Sequence, residues 1–472
     1  MQIEYLIKKQ LNTFDFWEKF RQTSIETDSE IYLVGGYIRD IILGRDELRD
    51  EMDFLVLGDG VEFATKLAKK FNIDEINTFR NFGTAHFKYK KMNFEFVGAR
   101  KESYNFGSRN PIVTSGSLDD DINRRDFTIN AIAISIGKTD FGEIIDKFEG
   151  IKDLKKRIIK TPLAPDETFS DDPLRIMRAI RFATQLNFKI SDETIQGIKT
   201  QRERLRIISQ ERISDEFLKI MGAEKPSIGL VLLQETGVME IIFNEIANLS
   251  GVEQRLDFHH KDVFLHTCQV VDNIAAKSDN LWLRIAGLLH DIAKPRTKNF
   301  VEGIGWTFHG HEEIGARMVK HIFKKMKFPF VHIPYVENLV RLHLRPIALV
   351  DEIVTDSAIR RLIVAAGESL DDLILLCRAD ITSKNLAKVT KYLKNYDRVV
   401  EKIKEVEEKD KLRAFQSPVR GEEIMEICNL HPSKKVGEIK AAIENAILEG
   451  IIPNEYEAAK EYLLKIKNEF ID

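Results

Sequence analysis

Residues 30–58 read EIYLVGGYIRDIILGRDELRDEMDFLVLG, and the rest of the chain is organised around them. The stretch predicts a strand, a glycine turn at Gly35-Gly36, a short helix, a connecting loop and a second strand. The second strand opens with two carboxylates, Glu51 and Asp53, and continues as an apolar run. Side chains two apart on a strand share a face, so the two acids point together. Neighbouring carboxylates repel, and drawing them out of water is costly without a cation. Mg²⁺ resolves that conflict, because hard ions prefer carboxylate oxygens. The glycine turn brings backbone N–H groups to a helix N-terminus, where a phosphate is well placed. A phosphate cradle beside a two-metal site suits nucleotidyl transfer. Taken singly, each feature also fits an ordinary turn or a solvated strand end, and the flanking sequence has to choose.

The chain of 472 residues has room for three or four domains. Its net charge of −4 excludes a global electrostatic field for nucleic acid, so any such surface is a local patch. Cys268, Cys377 and Cys428 have neither metal-ligand spacing nor a disulfide framework, which points to a reducing compartment. The N-terminus has no signal-peptide core, and no apolar run approaches a membrane span. The expectation is a cytoplasmic protein with no membrane association and no obligatory protein partner.

Outward from the opening stretch, residues 1–25 predict an amphipathic helix with Ile3, Ile7 and Leu11 on one side. Residues 60–71 predict another, with Phe63, Leu67 and Phe71 at helical spacing. GTAHFKYK (83–90) and MNFEFVGAR (92–100) predict a hairpin. An acid between Phe94 and Phe96 needs a reason, and a third metal-facing carboxylate at Glu95 supplies one. Residues 101–118 are rich in Ser, Gly and Asn and predict a flexible loop. In DDDINRRDFTINAIAI, Arg124 and Arg125 suit phosphate, while Asp126 and Asn130 would share a helical face. Beyond residue 150 the pattern is helical throughout. DDPLRIMRAIRF carries Arg175, Arg178 and Arg181 three apart, with Asp172 three before Arg175. Asp172 and Arg175 fit a plain intrahelical ion pair. They also fit an acceptor beside a donor, which matches the exocyclic amine and ring nitrogen of cytosine and adenine and mismatches uracil and guanine. Arg212, Glu216 and Lys219 form a charge ladder on the following helix.

The ordered motifs GG-x₂-RD, [D/E]-x-D, RRDFT-x-NA and DDPLR-x₂-RA-x-RF resemble those of class II tRNA nucleotidyltransferases (CCA-adding enzymes) and the bacterial poly(A) polymerases related to them. The resemblance implies that Glu51 and Asp53 bind catalytic metals and that Glu95 is the third carboxylate. It implies that Gly35, Gly36, Arg39, Arg124, Arg125, Asp126 and Asn130 serve the nucleotide's phosphates and ribose. Asp172 and Arg175 would read the base, with Arg178 and Arg181 assisting. Glu51 departs from the usual Asp and is one methylene longer.

Nine of the eleven histidines fall between His259 and His343. His266, the pair His290-Asp291 and Asp380 follow the order H…HD…D and resemble HD-domain metal phosphohydrolases. Imidazole with carboxylate suits Mn²⁺, Ni²⁺, Co²⁺ or Fe²⁺, and His311 and His343 could serve a second ion. The expected fold is α+β: a polymerase-β-like nucleotidyltransferase head with a mixed sheet (1–148), then an all-α neck (149–250), HD domain (251–400) and helical tail (401–472). The tail could cap the fold or contact tRNA. The function implied is addition of CCA to the tRNA 3′ end from CTP and ATP with Mg²⁺, beside a second, phosphohydrolase site. Poly(A) addition, A-only addition, or an HD hydrolase with an inactive head are the alternatives.

Overall fold

The strand at Glu51–Leu57 alternates between two environments, and this fixes the head. In the computed structural model, Met52, Phe54 and Val56 point to a fully buried face, while Glu51 and Asp53 lie on the other. The structure describes residues 2–45, 50–79, 83–103, 112–137, 139–252, 262–303, 305–348, 355–382, 385–410 and 417–470. Its chain divides into two units, residues 1–223 with 228–243, and residues 224–227 with 244–472.

The first unit holds a seven-stranded sheet. Its strands are β1 (Glu30–Val34), β2 (Glu51–Leu57), β3 (Asn77–Phe79), β4 (Thr84–Tyr89), β5 (Met92–Gly98), β8 (Ala133–Ser135) and β9 (Ile144–Ile145), in the order β3-β4-β5-β2-β1-β8-β9. Among the described pairs of this sheet only β2 and β5 run parallel, and their register sets Asp53 opposite Glu95. One face is an aromatic core: Phe54, Phe94 and Phe96 pack with Phe16, Trp17 and Phe20 from the N-terminal segment. Helix Gly60–Lys70 covers the same face through Phe63 and Leu67, and Asp59 caps it by accepting from Val61 N and Glu62 N.

The chain then enters helices. Leu174–Leu186 packs on Gln210–Met221, and Phe182 meets Phe127 of the head edge to face. The second unit is mainly helical among the described residues. Val263–Ala275, Leu281–Leu289, His311–Lys325, Ile333–Leu342 and Leu370–Ala379 enclose the histidine cluster. Gly421–Cys428, Lys434–Leu448 and Tyr456–Ile466 form a small core of their own around Ile424, Ile439, Ile443 and Leu463.

Four expectations need correction. Residues 101–118 are not simply a loop: β6 (Arg100–Ser103) pairs antiparallel with β7 (Ile112–Ser115), and residues 104–111 lie outside the described residues. Asp126 and Asn130 do not share a helix. The helix Leu118–Asn123 ends before them, and Thr128–Asn130 is a 3₁₀ turn. The chain beyond 150 is not wholly helical, since β10 (Ile158–Ile159) pairs with β11 (Lys189–Ile190), and β12 (Asn299–Val301) with β13 (Gly305–Thr307). The N-terminal segment is two helices, Gln2–Leu11 and Trp17–Thr27.

Candidate active site and metal centre

Glu51, Asp53 and Glu95 present carboxylate oxygens that all lie within 4.8 Å of one another. The cause is local: period-two alternation on β2 aligns the first two, and the parallel register brings in the third. Burial, and next the charge of Glu51, push the Glu95 carboxyl above its ordinary range, while His86 opposes them. A cluster that resists its own ionisation is short of positive charge, and three carboxylates suit a hard divalent ion. Gly35 closes the wall beside it. Its φ of +80° and ψ of −145° favour glycine, and a Cβ there would stand 2.7 Å from Asp53 Oδ2.

The arginines are held by buried acids. Arg39 grips Asp40 through Nε at 3.0 Å and Nη2 at 3.1 Å, and donates through Nη1 to Asn130 Oδ1 at 2.9 Å. Asn130 in turn donates to Asp126 Oδ1 at 3.1 Å. Arg178 clamps the other oxygen of Asp126 through Nε at 2.8 Å and Nη2 at 2.6 Å. Burial alone would raise the Asp126 carboxyl, but Arg178 and Asn130 hold it below its ordinary range. Asp121, fully buried, pairs with both Arg124 and Arg125. Arg181 binds Glu216 at 2.5 Å and lies over the Phe182 ring.

The two base-reading candidates are near each other but not paired. Asp172 caps the next helix by accepting from Leu174 N at 3.1 Å and lies 3.6 Å from Arg212. Arg175 is buried and donates to Arg124 O at 2.6 Å and Thr168 O at 3.3 Å. The expected ladder is therefore split: Glu216 keeps Lys219, whereas Arg212 turns to Asp172.

In the second unit, His266, His290 and Asp380 form one ligand group, and Asp291, His311 and His343 form another. His266 Nε2 stands 2.9 Å from Asp380 Oδ1, and His311 Nε2 stands 3.3 Å from both His343 Nε2 and Asp291 Oδ1. Each ring is oriented from behind. The Nδ1 atoms of His290, His311 and His343 donate to the carbonyls of Gly287, Phe308 and Val340 at 2.8, 2.7 and 2.6 Å. His266 Nδ1 meets Thr382 Oγ1 at 2.8 Å. An Nδ1–H bonded outward leaves the Nε2 lone pair free to ligate. His290 Nε2 is buried without a well-formed hydrogen bond, although Asp291 Oδ2 lies 3.1 Å away. Burial would lower His290, but Asp291 and Asp380 outweigh it and push it up to about 10, so the field here draws positive charge. These donors fit divalent metal.

Sequence reasoning missed Asp121, Asp40 and Lys294. Asp121 stands three and four residues before Arg124 and Arg125, a spacing that could have revealed it. Lys294, one helical turn after Asp291, places Nζ 2.7 Å from its Oδ2.

Residues 31–160 match the poly A polymerase head domain, 187–249 the probable RNA and SrmB-binding site of polymerase A, and 263–385 the HD domain. An A-adding tRNA nucleotidyltransferase of Deinococcus radiodurans is 30% identical over 72% of this chain and 78% of its own. A multifunctional CCA protein of Nitrosococcus oceani is 30% identical over 75% and 85%. The chain belongs to the tRNA nucleotidyltransferase family. An A-adding tRNA nucleotidyltransferase of Aquifex aeolicus is 35% identical, but the match spans 63% of this chain and only 34% of that relative's length. A tRNA nucleotidyltransferase solved with a primer tRNA and an ATP analogue superposes with a TM-score of 0.59 at 26% identity, covering 82% of this chain and 99% of its own. The Bacillus stearothermophilus CCA-adding enzyme shares the fold at a TM-score of 0.63 and 22% identity, over 97% and 98%. The nucleotidyltransferase and HD domains of this family are metal-dependent, and the three ligand groups lie within them. Among the described residues no helix is long and apolar enough to cross a membrane.

Proposed function

We propose that this protein extends the tRNA 3′ end with C, C and A, using CTP and ATP and releasing pyrophosphate. The observation that carries this reading is the convergence of Glu51, Asp53 and Glu95 beside the Gly35 turn, in a chain of this family. These carboxylates would hold Mg²⁺, which lowers the pKa of the attacking hydroxyl and neutralises triphosphate charge. The chain's own residues orient the reactants. The Gly35-Gly36 turn with Arg124, Arg125 and Arg178 holds the triphosphate, Asp126 and Asn130 lie toward the ribose, and Asp172 with Arg175 reads the base. Arg39 and Arg181, buried against Asp40 and Glu216, hold the others in place. The acceptor 3′ oxygen attacks the α-phosphorus in line, the bond to the bridging oxygen breaks, and pyrophosphate leaves.

In the second unit His266, His290, Asp291 and Asp380, joined by His311 and His343, would bind Mn²⁺, Ni²⁺, Co²⁺ or Fe²⁺. Such an ion supplies activated water for phosphoester hydrolysis. We assign the head to 1–148, the neck to 149–250, the HD domain to 251–400 and the tail to 401–472, and place the protein in the cytoplasm.

The naming of two relatives as A-adding favours a second reading, in which only the terminal A is added. Purified protein offered tRNAs ending at the discriminator base, in C and in CC, each with CTP or ATP, separates the two. Full CCA addition requires extension of all three. Extension of the CC-ended tRNA alone establishes A addition, and long ATP-only products on any RNA establish a poly(A) polymerase.

A further inference from the structure

One row of polar side chains crosses four strands of the head sheet. Asn77 on β3 is opposite His86 on β4, His86 is opposite Glu95 on β5, and Glu95 is opposite Asp53 on β2. Directly opposed residues share a face, so the row runs from the sheet edge to the carboxylate cluster. The rings and amide along it are ordered: Asn77 Nδ2 donates to His86 Nε2 at 3.1 Å. Two residues beyond Asn77, on the same face, Phe79 stacks on the His86 ring with centroids 5.8 Å apart and planes 23° from parallel. Phe79 is nevertheless 50% exposed, on the edge strand of the sheet. Edge strands ordinarily avoid open aromatic surface because it invites association.

Strand order decides which side of the chemistry this shelf serves. Gly35 follows β1, which flanks β2 on one side, while β5, β4 and β3 extend on the other. In-line phosphoryl transfer puts the attacking and leaving oxygens on opposite sides of phosphorus. With the triphosphate toward Gly35, the acceptor strand approaches over β5 and β4. Phe79 lies two strand spacings across and two residues along from Glu95, about 12 Å away, which is the reach of about two nucleotides.

We propose that Phe79, backed by His86, is the stacking platform for an unpaired base at the 3′ end of the acceptor RNA. The proposal rests on the tRNA-extending function above. A growing acceptor presents a different last base at each addition. Base–aromatic stacking tolerates that change, since every base has a π-face.

The test is steady-state extension by Phe79→Ala of a tRNA ending at its discriminator base. The KM for tRNA should rise about tenfold or more, the scale of one lost base stack, with kcat and the KM for CTP unchanged. Phe79→Tyr should restore the parent KM, and melting temperatures should agree among all three. Acceptors made abasic at the last or the penultimate nucleotide locate the contact, because the Phe79→Ala penalty should vanish for one of them. An unchanged KM for tRNA, or the same penalty on intact and both abasic acceptors, overturns the proposal. A parent protein that extends no acceptor overturns the proposed function instead. The platform is then read from Phe79→Trp fluorescence, which should be quenched by tRNA with an unpaired 3′ end and not by the same tRNA trimmed to a blunt stem. Equal quenching by both refutes it.

Discussion

Gly35→Ala should disable nucleotide addition far more than it disturbs folding, and the geometry separates the two costs. Gly35 has φ +80° and ψ −145°, a region that non-glycine residues avoid at about 1–3 kcal/mol. The new Cβ would also stand 2.7 Å from Asp53 Oδ2, closer than real contacts allow. The carboxylate is the mobile partner, so the substitution moves a ligand of the expected metal rather than a packed side chain. Gly44 provides a matched control: its φ is +67°, yet a Cβ there would meet nothing within 4 Å. Alanine at Gly44 therefore adds backbone strain of about 1–2 kcal/mol without touching the site. Both variants should melt a few degrees lower, at roughly 2–4 °C per kcal/mol. Displacing a reacting group by an ångström costs on the order of a hundredfold, so Gly35→Ala should lose about that much kcat. It should also need more Mg²⁺, while Gly44→Ala keeps the parent rate. Single-nucleotide extension across a Mg²⁺ titration, paired with thermal melts, reads both effects. Equal activity losses in the two variants would refute the clash and leave strain as the only cause.

Asp172→Ala should change which nucleotide is added: losing one buried hydrogen bond relaxes the CTP-to-UTP ratio by about tenfold to a hundredfold. Single additions with each triphosphate measure it, and a slower enzyme that still rejects UTP ends the templating role. His290→Ala with Asp291→Ala should strip transition metal, by elemental analysis, and abolish phosphohydrolysis while nucleotide addition continues. Loss of both activities would make the HD cluster a support for the head. Asp121 and Asp126 are drawn below the ordinary carboxylate range despite their burial, by Arg125 and Arg124 and by Arg178. Folded pKa values below the unfolded value near 3.9 give stability that is present above about pH 4 and lost as pH falls through the folded values. Urea midpoints at pH 7 and pH 3 should diverge less in Asp126→Asn than in the parent, and identical pH dependence would contradict the pairing.

What the sequence made legible was periodic. Glu51 and Asp53 were placed by a spacing of two, and Glu95 stood out because an acid interrupts Phe94 and Phe96 on a strand whose partner face is apolar. The candidate HD ligand group was visible because adjacent His290-Asp291 ends an apolar helix. The pairing of β6 with β7 was hidden because these strands form a separate two-stranded sheet outside the seven-stranded one, and a stretch rich in Ser, Gly and Asn carries no apolar alternation to announce a strand. Asp126 and Asn130 showed the right partnership for the wrong reason: their hydrogen bond is made across a turn, and a spacing of four is all a sequence reveals of either geometry. The bond from Arg175 to the carbonyl of Arg124 joins residues 51 apart, and nothing local announces it.

That long-range bonding also sorts the arginines, which the motifs alone made look equivalent. The side chains of Arg39 and Arg181 are 4% and 11% exposed, and their donors go to Asp40, Asn130, Glu216 and Gln185. A guanidinium buried against a carboxylate has lost its hydration and gained a fixed partner, so it is costly to redirect toward a substrate. Arg178 is 35% exposed, Arg124 23% and Arg125 18%. Arg178 spends on Asp126 only two of the five N–H groups a guanidinium carries. Asp121 pairs with both Arg124 and Arg125, and Arg125 also donates to the carbonyl of Asn130, so the geometry of this arginine pair is already fixed. Held arginines of this kind favour a polyphosphate without reorganising when it arrives, which is what electrostatic preorganisation requires. The buried acids beneath them would therefore shape the proposed nucleotide site as much as the arginines that would touch it.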